Sequence, residues 1–470
     1  MSEKRVIKPE VLGGFRDFLP KEALARQEMF EKIGKICESF GFVPLDTPGM
    51  ERLEVLTGGA EKFNKSIFTA RIVKGEEDKG VSEKEWEQDY ALRFDLTVPL
   101  ARVVAANPDL IKPFKRYQVG KVWRGERQQA GRFREFYQFD FDIIGAKSTL
   151  ADVEIINLMY SIMKSLGISG FIIRFNTRKI LNGLAEKVGC LTRANEMFRI
   201  MDKQDKIGRK GVLEELKRQP DNEFDESAFS FSETQLEAVE LFLGINGNNS
   251  EEIISNLKEF FSNSSDVALE GIKELEFIIN SLKRINLSEK NWQLDLSVAR
   301  GLDYYTGPVF ETFLTDIPTL GSVLSGGRFD GLTNRFMPGS NIAGTGASVG
   351  VDRLLVGMKT LGLIKEKDSV TQVLMTVFNE SDESLISSSL EFADHLRTSG
   401  LNTEIYLGED SSLRAQISYA AKKSIPFIVI IGPDEKKSGR IQLKNMRTRF
   451  QELLTLEEAL SKITSELSGA

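Results

Sequence analysis

FKRYQVGKVWRGERQQAGRFREFYQFDFDIIG, residues 114–145, is the stretch whose reading decides the fold. Its second half alternates from Phe133 to Ile143, with Glu135 as the one break. Phe133, Tyr137, Phe139, Phe141 and Ile143 point one way; Arg134, Phe136, Gln138, Asp140 and Asp142 point the other. Successive side chains of a strand project to opposite faces, so the segment predicts a strand with an apolar face and a polar, working face. Residues 115–123 predict its partner, and Gly125 and Gly131 bracket a polar connection too long for a tight turn. The pair reads as an antiparallel hairpin with a long loop.

Cations crowd this hairpin. Between residues 111 and 134, Lys112, Lys115, Arg116, Lys121, Arg124, Arg127, Arg132 and Arg134 stand against one acid, Glu126, a local balance of +7 in a chain of net charge −7. Guanidinium forks suit phosphate oxygens. A solvated basic strand edge, protected against aggregation, would look the same. The glutamine and two aspartates that share the working face favour a pocket.

Composition narrows the chemistry. The 470 residues leave room for two to four domains, at ~150 residues each. Two cysteines, Cys37 and Cys190, with no CxxC pair argue against a disulfide scaffold or a cysteine zinc site. The one histidine, His395, falls in an apolar-periodic segment and reads as helix surface. Ser-His-Asp triads, His-ligated zinc and HExxH chemistry are thereby excluded. The longest apolar run, residues 425–431, is far below the ~20 residues that span a bilayer. No amino-terminal apolar segment precedes it, so the expectation is a soluble, cytoplasmic protein without a membrane partner. Arginines, carboxylates and backbone groups, with or without a bound metal, are left to do the work.

Residues 20–40 predict an amphipathic helix, with Leu24, Met29, Phe30, Ile33, Ile36 and Phe40 at helical spacing. Pro44 and Pro48 then mark an extended edge or interface strand. Residues 74–89 are charged and aperiodic and read as a mobile loop. In YALRFDLTVPLARVVA (90–105), Arg93, Asp95 and Thr97 share a face of a predicted short strand, either a pocket rim or an exposed face. A helix over 150–166 and a strand over 171–175 follow. Residues 177–285 are helix-prone, charged and without a motif, as in an inserted helical module.

Alternation returns in NWQLDLSVARGLDYYTGPVFETFL (291–314), where two strands flank a polar turn holding Arg300, Gly301, Asp303, Tyr304, Tyr305 and Gly307. A buried arginine there needs partners. A ligand is one option; solvent or a structural carboxylate is another. SGGRFDGL (325–332) reads as a glycine-rich turn. AGTGASVGVDRLLVGMKTLGL (343–363) reads as a glycine-rich approach to a helix with Arg353 near its start, suited to an anion or nucleotide, or simply to helix packing. After a polar linker, VLMTVF, TEIYL and PFIVIIG alternate with helices around 385–396 and 413–422, predicting a small α/β domain with a largely parallel core. Near its end, residues 434–450 carry six cations (Lys436, Lys437, Arg440, Lys444, Arg447, Arg449) against two acids. That patch suits a nucleic-acid backbone or a solvated surface.

With these segments laid out, the chain resembles the class II aminoacyl-tRNA synthetases, and among them the histidyl-tRNA synthetase family, over nearly its whole length. The resemblance rests on GGFRDFLP (13–20), the helix and proline-broken strand as motif 1, LRFDLTVPLAR (92–102) and the hairpin as motif 2. It continues through RGLDYYTG (300–307), GGRFDGL (326–332) and GASVGVDRLL (346–355) as motif 3. RGLDYYTG separates histidyl enzymes from prolyl, threonyl and glycyl relatives of the same architecture, and LRFDLTVP is similar to the eukaryote-type branch. Motif 3 departs from the family in Asp352, where glutamate is more usual, and GGRFDGL in Phe329, where tyrosine is common.

The resemblance implies an α/β fold: an α+β catalytic domain on an antiparallel sheet with flanking helices (1–176 and 287–361), a helical insertion (177–286), a linker (362–371) and a small α/β anticodon-binding domain (372–470). It implies ATP-dependent activation of L-histidine and transfer of histidine to the 3′ end of tRNA(His), by a homodimer using Mg²⁺. Arg124 would bind the ATP α-phosphate; Glu126 and Phe136 the adenine; Arg132 and Arg353 the triphosphate tail or the base. Asp95, Thr97 and Gln138 would hold the α-amino group of histidine, and Asp142 and Tyr305, with Tyr304, the imidazole. Arg300 would contact both the histidine carboxylate and the α-phosphate, making Arg300 and Arg124 the catalytic pair. Gln128 and Gln129 would meet the tRNA acceptor end. No residue is assigned to the metal. Two alternatives stand beside this reading: a non-catalytic histidine-binding regulatory paralogue, which would lack the motif arginines and tail domain, and a class II synthetase for another amino acid such as proline.

Overall fold

A computed structural model describes residues 7–58, 66–70, 90–125, 133–219, 228–262, 264–298, 304–364, 366–379 and 381–468. The chain divides into two compact units, Met1–Asp17 with Arg26–Ile364, and Phe18–Ala25 with Lys365–Ala470. The loop read at 74–89 lies outside the described residues, as do Glu126, Gln128, Gln129, Arg132 and Arg300.

In the first unit the strands are β1 (Val43–Pro44), β2 (Met50–Arg52), β3 (Thr69–Ala70), β4 (Tyr90–Leu92), β5 (Phe114–Trp123), β6 (Glu135–Ile144), β7 (Phe171–Thr177), β8 (Trp292–Leu294), β9 (Pro308–Leu314), β10 (Ser322–Arg328) and β11 (Gly344–Gly350). Eight of them form one sheet in the order β1-β5-β6-β11-β10-β9-β7-β8, antiparallel except where β1 joins β5 and β8 joins β7. β2, β4 and β3 form a small sheet of their own.

The hairpin read from the sequence is the β5–β6 pair, in register from Phe114 opposite Ile144 to Trp123 opposite Glu135. Its apolar face packs on the helix Pro20–Ser39: the Phe30 ring centroid lies 5.7 Å from Tyr137 and 6.3 Å from Phe139. Tyr117 stacks on Phe139 at 5.5 Å. The opposite face of β6 carries Gln138, Asp140 and Asp142, all buried. β6 has strand neighbours on both edges, and its polar face is buried within the unit.

Three expectations change. Arg93, Asp95 and Thr97 do not share a strand face: β4 ends at Leu92, and Thr97 already opens the helix Thr97–Ala106. Arg93 turns away, donating to the carbonyls of Lys121 (2.9 Å), Thr47 (2.6 Å) and Pro48 (3.2 Å). The glycines of 325–332 and 343–350 lie largely inside β10 and β11. They are there for close approach: a Cβ at Gly326 would sit 2.5 Å from the Ala347 Cα across the ladder. The strands flanking 295–307 do not pair with each other; β8 and β9 lie on either side of β7.

Between β7 and β8 the described chain is helical, from Arg178–Lys187 to Asp266–Arg284. β10 is anchored to the helix Leu150–Ser165 by a buried ion pair, with Arg328 Nη2 2.6 Å and Nε 3.0 Å from the Asp152 carboxylate. The same guanidinium donates to the carbonyls of Ala146 and Ser148.

The second unit holds β12 (Val373–Met375), β13 (Thr403–Ile405), β14 (Phe427–Ile430), β15 (Ile441–Asn445) and β16 (Gln451–Leu454), ordered β13-β12-β14-β15-β16. The first three are parallel, as read; β15 and β16 add an antiparallel extension where the sequence showed only a basic tail. One sheet face packs on Phe392, Ala393, Leu396, Ala459 and Ile463, the other on Ala420 and Ile425. His395 is exposed on the helix Glu383–Thr398. No helix among the described residues is long and apolar enough to cross a membrane.

Candidate active site

A cavity of about 370 Å³ opens on the polar face of the large sheet. Asp95, Thr97, Arg124, Gln138, Asp142, Tyr304, Tyr305 and Arg353, singled out above from four separate segments, all line it. Phe136 stands beside the wall, under the Arg124 guanidinium, which sits 5.2 Å from its ring centroid.

Each side chain is held by a local device. Asp95 lies just ahead of the helix Thr97–Ala106 and its Oδ1 accepts from Val98 N–H at 3.0 Å, satisfying one of the helix's unpaired amides. Gln138 is fixed by donation from Nε2 to Ser348 Oγ on β11, 2.8 Å away. Arg124 donates from Nε to the Phe94 carbonyl at 3.1 Å, and Arg353 from Nη1 to the Ser322 carbonyl at 2.5 Å. Tyr304 and Tyr305 meet edge to face, centroids 5.1 Å apart, and burial pushes both phenols well up from their ordinary value. Gly327 makes room for Tyr305: a Cβ there would stand 3.0 Å from its ring.

Asp142 has the most constrained place. It lies between Arg116 on β5 and Gly346 on β11. Its Oδ2 is 2.7 Å from Arg116 Nη2, and a Cβ on Gly346 would come within 2.6 Å of its carboxyl carbon. Burial raises the proton affinity of Asp140 and Asp142, and the Arg116 guanidinium works against that rise.

Four buried acceptors on this wall take no hydrogen bond among the described residues: Asp95 Oδ2, Gln138 Oε1, Asp140 Oδ1 and Asp142 Oδ2, the last set against the Arg116 guanidinium as an ion pair. Unsatisfied buried acceptors are costly, so the wall is built to receive a ligand rich in N–H donors. No cluster of three or more acidic, Cys or His side chains placed to hold a metal occurs among the described residues.

Sequence reading missed several wall residues. Glu311, Ser325 and Ser348 come from β9, β10 and β11, and Arg178, Asn195, Phe198, Arg199 and Asp202 come from the helices after β7. Arg116, counted only among the hairpin's cations, had a signal: at hairpin register it falls opposite Asp142. Asp352 lies off the wall. Its Oδ2 accepts from Tyr137 N–H at 3.0 Å and its Oδ1 faces Arg16 at 3.4 Å, tying the helix Val351–Thr360 to β6.

The family described as histidyl-tRNA synthetase matches residues 14–354, and an anticodon binding domain matches residues 372–466. A histidine–tRNA ligase of Clostridium tetani is 40% identical over 465 residues, covering 98% of this chain and 99% of its own. The crystal structure of histidyl-tRNA synthetase from Nostoc sp. PCC 7120 aligns with a TM-score of 0.82 at 30% identity, covering 98% of this chain and all of that one. A structure from Bacillus halodurans described as an ATP phosphoribosyltransferase regulatory subunit/histidyl-tRNA synthetase aligns at 0.70 with 22% identity over 91% of this chain and 99% of its own, a likeness of fold.

Proposed function

This chain belongs to the histidyl-tRNA synthetase family, and on that premise we propose how its cavity carries out histidine activation. The observation that carries the reading is the set of four wall acceptors that take no hydrogen bond among the described residues. Asp95 and Gln138, with Thr97 beside them, receive the α-ammonium group of histidine, whose three N–H donors match what the wall lacks. Asp142 and Tyr305, with Tyr304 behind, face the imidazole. An analogue without ring N–H groups would leave these buried atoms unpaired, so selection needs no editing step.

ATP lies along the arginines. Arg124 takes the α-phosphate and Phe136 stacks on the adenine, with Glu126 holding its edge; Arg132 and Arg353 hold the triphosphate. Arg300 contacts the histidine carboxylate and the α-phosphate together. In the first step a carboxylate oxygen of histidine attacks the α-phosphorus in line and pyrophosphate leaves. No proton has to move, so positioning and charge neutralisation supply the rate. In the second step the terminal ribose hydroxyl of the tRNA attacks the acyl carbon and AMP leaves, with Gln128 and Gln129 at the acceptor end. Magnesium takes one or two carboxylates and otherwise phosphate oxygens and water, which fits a wall that offers Glu311 and, among the described residues, no cluster of three or more metal-ligating side chains. It would neutralise phosphate charge.

Pyrophosphate exchange into ATP across all twenty amino acids tests the reading. Exchange with histidine alone is expected, and Asp95→Asn should lower kcat/KM for histidine by ~10–100-fold, as for a hydrogen bond to a charged group. Histidine bound without exchange would make the chain a regulatory paralogue; exchange with proline would move it to another synthetase.

The proposed division into catalytic domain, helical insertion and anticodon domain assigns tRNA binding to the second unit's cations, of which Lys436, Lys437, Arg440, Arg447 and Arg449 are exposed. A homodimer is proposed across the edge strands β1 and β2 of the two sheets, whose apolar side chains Val43 and Met50 are 50% and 45% exposed. Sedimentation at micromolar concentration would show a monomer if that is wrong.

A further inference from the structure

Arg116 is the bulkiest fully buried side chain with a charge, and its exposure is 0%. It is not on the cavity wall, yet it lies directly across the ladder from Asp142, which is. One nitrogen, Nη2, does all its work, 2.7 Å from Asp142 Oδ2 and donating to the Leu96 carbonyl at 3.2 Å. Nε and Nη1 have no hydrogen-bond partner among the described residues. A sealed guanidinium with most donors unmet is retained only for the charge it places beside other buried charges.

We propose that Arg116 is a positioning residue for histidine selection: from behind the wall its guanidinium, in an ion pair 2.7 Å from Oδ2, draws the Asp142 carboxylate into one orientation toward the imidazole. This rests on the reading that Asp142 faces the imidazole. Among the described residues, Arg116 is the one cation in an ion pair with Asp142. Across the ladder on β11 stands Gly346, which offers room but no hold.

The groups around Asp142 are Asp140 on its own strand, Arg116 on β5, Asp95 ahead of the helix Thr97–Ala106, and Tyr305 ahead of β9. Arg93 is the next cation and faces Arg116. Its guanidinium is spent on backbone carbonyls. Without Arg116, Asp140 and Asp142 would lose the cation that opposes the effect of their burial and would hold protons to higher pH. A protonated Asp142 no longer offers a charged acceptor to the ring N–H that faces it, and the wall attracts the α-ammonium group less.

The test compares the parent protein, Arg116→Met and Arg116→Lys in histidine-dependent pyrophosphate exchange between pH 6 and 9. Arg116→Met is expected to raise KM for histidine ~10–100-fold with little change in KM for ATP. It should also move the acid limb of kcat/KM for histidine upward by about one pH unit or more. Substrate imidazole titrates equally in all three, so the difference belongs to the protein. Arg116→Lys keeps the charge and loses the placement of Nη2 against both Asp142 Oδ2 and the Leu96 carbonyl, so it should restore the acid limb while recovering only part of the histidine KM. If Arg116→Met does not fold, Arg116→Lys carries the test through its raised histidine KM. Parent-like histidine KM and pH limb in these variants would overturn the proposal, as would equal rises in both KM values. A parent protein without histidine-dependent exchange would instead overturn the functional reading beneath it.

Discussion

Gly346→Ala is expected to lower kcat/KM for histidine by ~100-fold or more while leaving KM for ATP close to its parent value. The new methyl group would stand 2.6 Å from both the Asp142 carboxyl carbon and the Phe141 carbonyl oxygen. β11 cannot back away, because it is paired with β6 on one side and β10 on the other. The softer partner yields, and it is the carboxylate. A displacement of ~1 Å at a recognition group is enough for a loss of this size. The overpacked strand should also cost about 1–3 kcal/mol of stability, so a thermal melt belongs beside the kinetics. Full histidine activity in a folded Gly346→Ala protein would remove Asp142 from the imidazole site.

Arg328→Met should destabilise the first unit by ~3–5 kcal/mol, because it strands Asp152, a carboxylate with 0% exposure, without its cation. Replacing both partners, Arg328→Met with Asp152→Leu, should recover most of the loss. The deficit has a pH signature. Burial pushes the Asp152 carboxyl up to about 6 from 3.8, with Arg328 opposing the rise. The folded protein therefore holds this proton more tightly than the unfolded chain. The group's contribution is fully present below 3.8 and is lost as the pH climbs through about 6. Removing Arg328 raises the folded value further, so the variant's deficit should be larger at pH 8 than at pH 5. Urea denaturation at both values decides it, read from the transition that histidine and ATP shift, since ligands stabilise the unit that binds them. Equal deficits at the two pH values would mean that Asp152 is not the stranded charge.

Much of the fold was legible because its local rules agree. The period-two run 133–143 could bury its phenylalanines only as an interior strand, and the helix Pro20–Ser39 supplies the matching apolar stripe. In the second unit, short apolar strands alternating with helices left a parallel sheet as the economical solution, and β12, β13 and β14 form one. The glycine-rich segments misled for a physical reason. Glycine marks turns and close backbone approaches alike, and only the pairing of β10 with β11 shows that Gly326 and Gly346 serve the second. Arg93 misled similarly, since alternation continued on paper past Leu92, where the backbone leaves the strand for a helix.

By itself the sequence determined the hairpin, the α/β tail, the chemistry open to a chain with one histidine, and the motif residues that gather at the cavity. Those follow from spacing along the chain. Tertiary structure alone decided which groups face one another: Arg116 behind Asp142, Arg328 on Asp152, and Asp95, Gln138, Asp140 and Asp142 on one wall with acceptors that take no hydrogen bond among the described residues. Burial and partnership belong to distances between segments far apart in the chain, and those distances set the cost of a charge and the demand for a ligand.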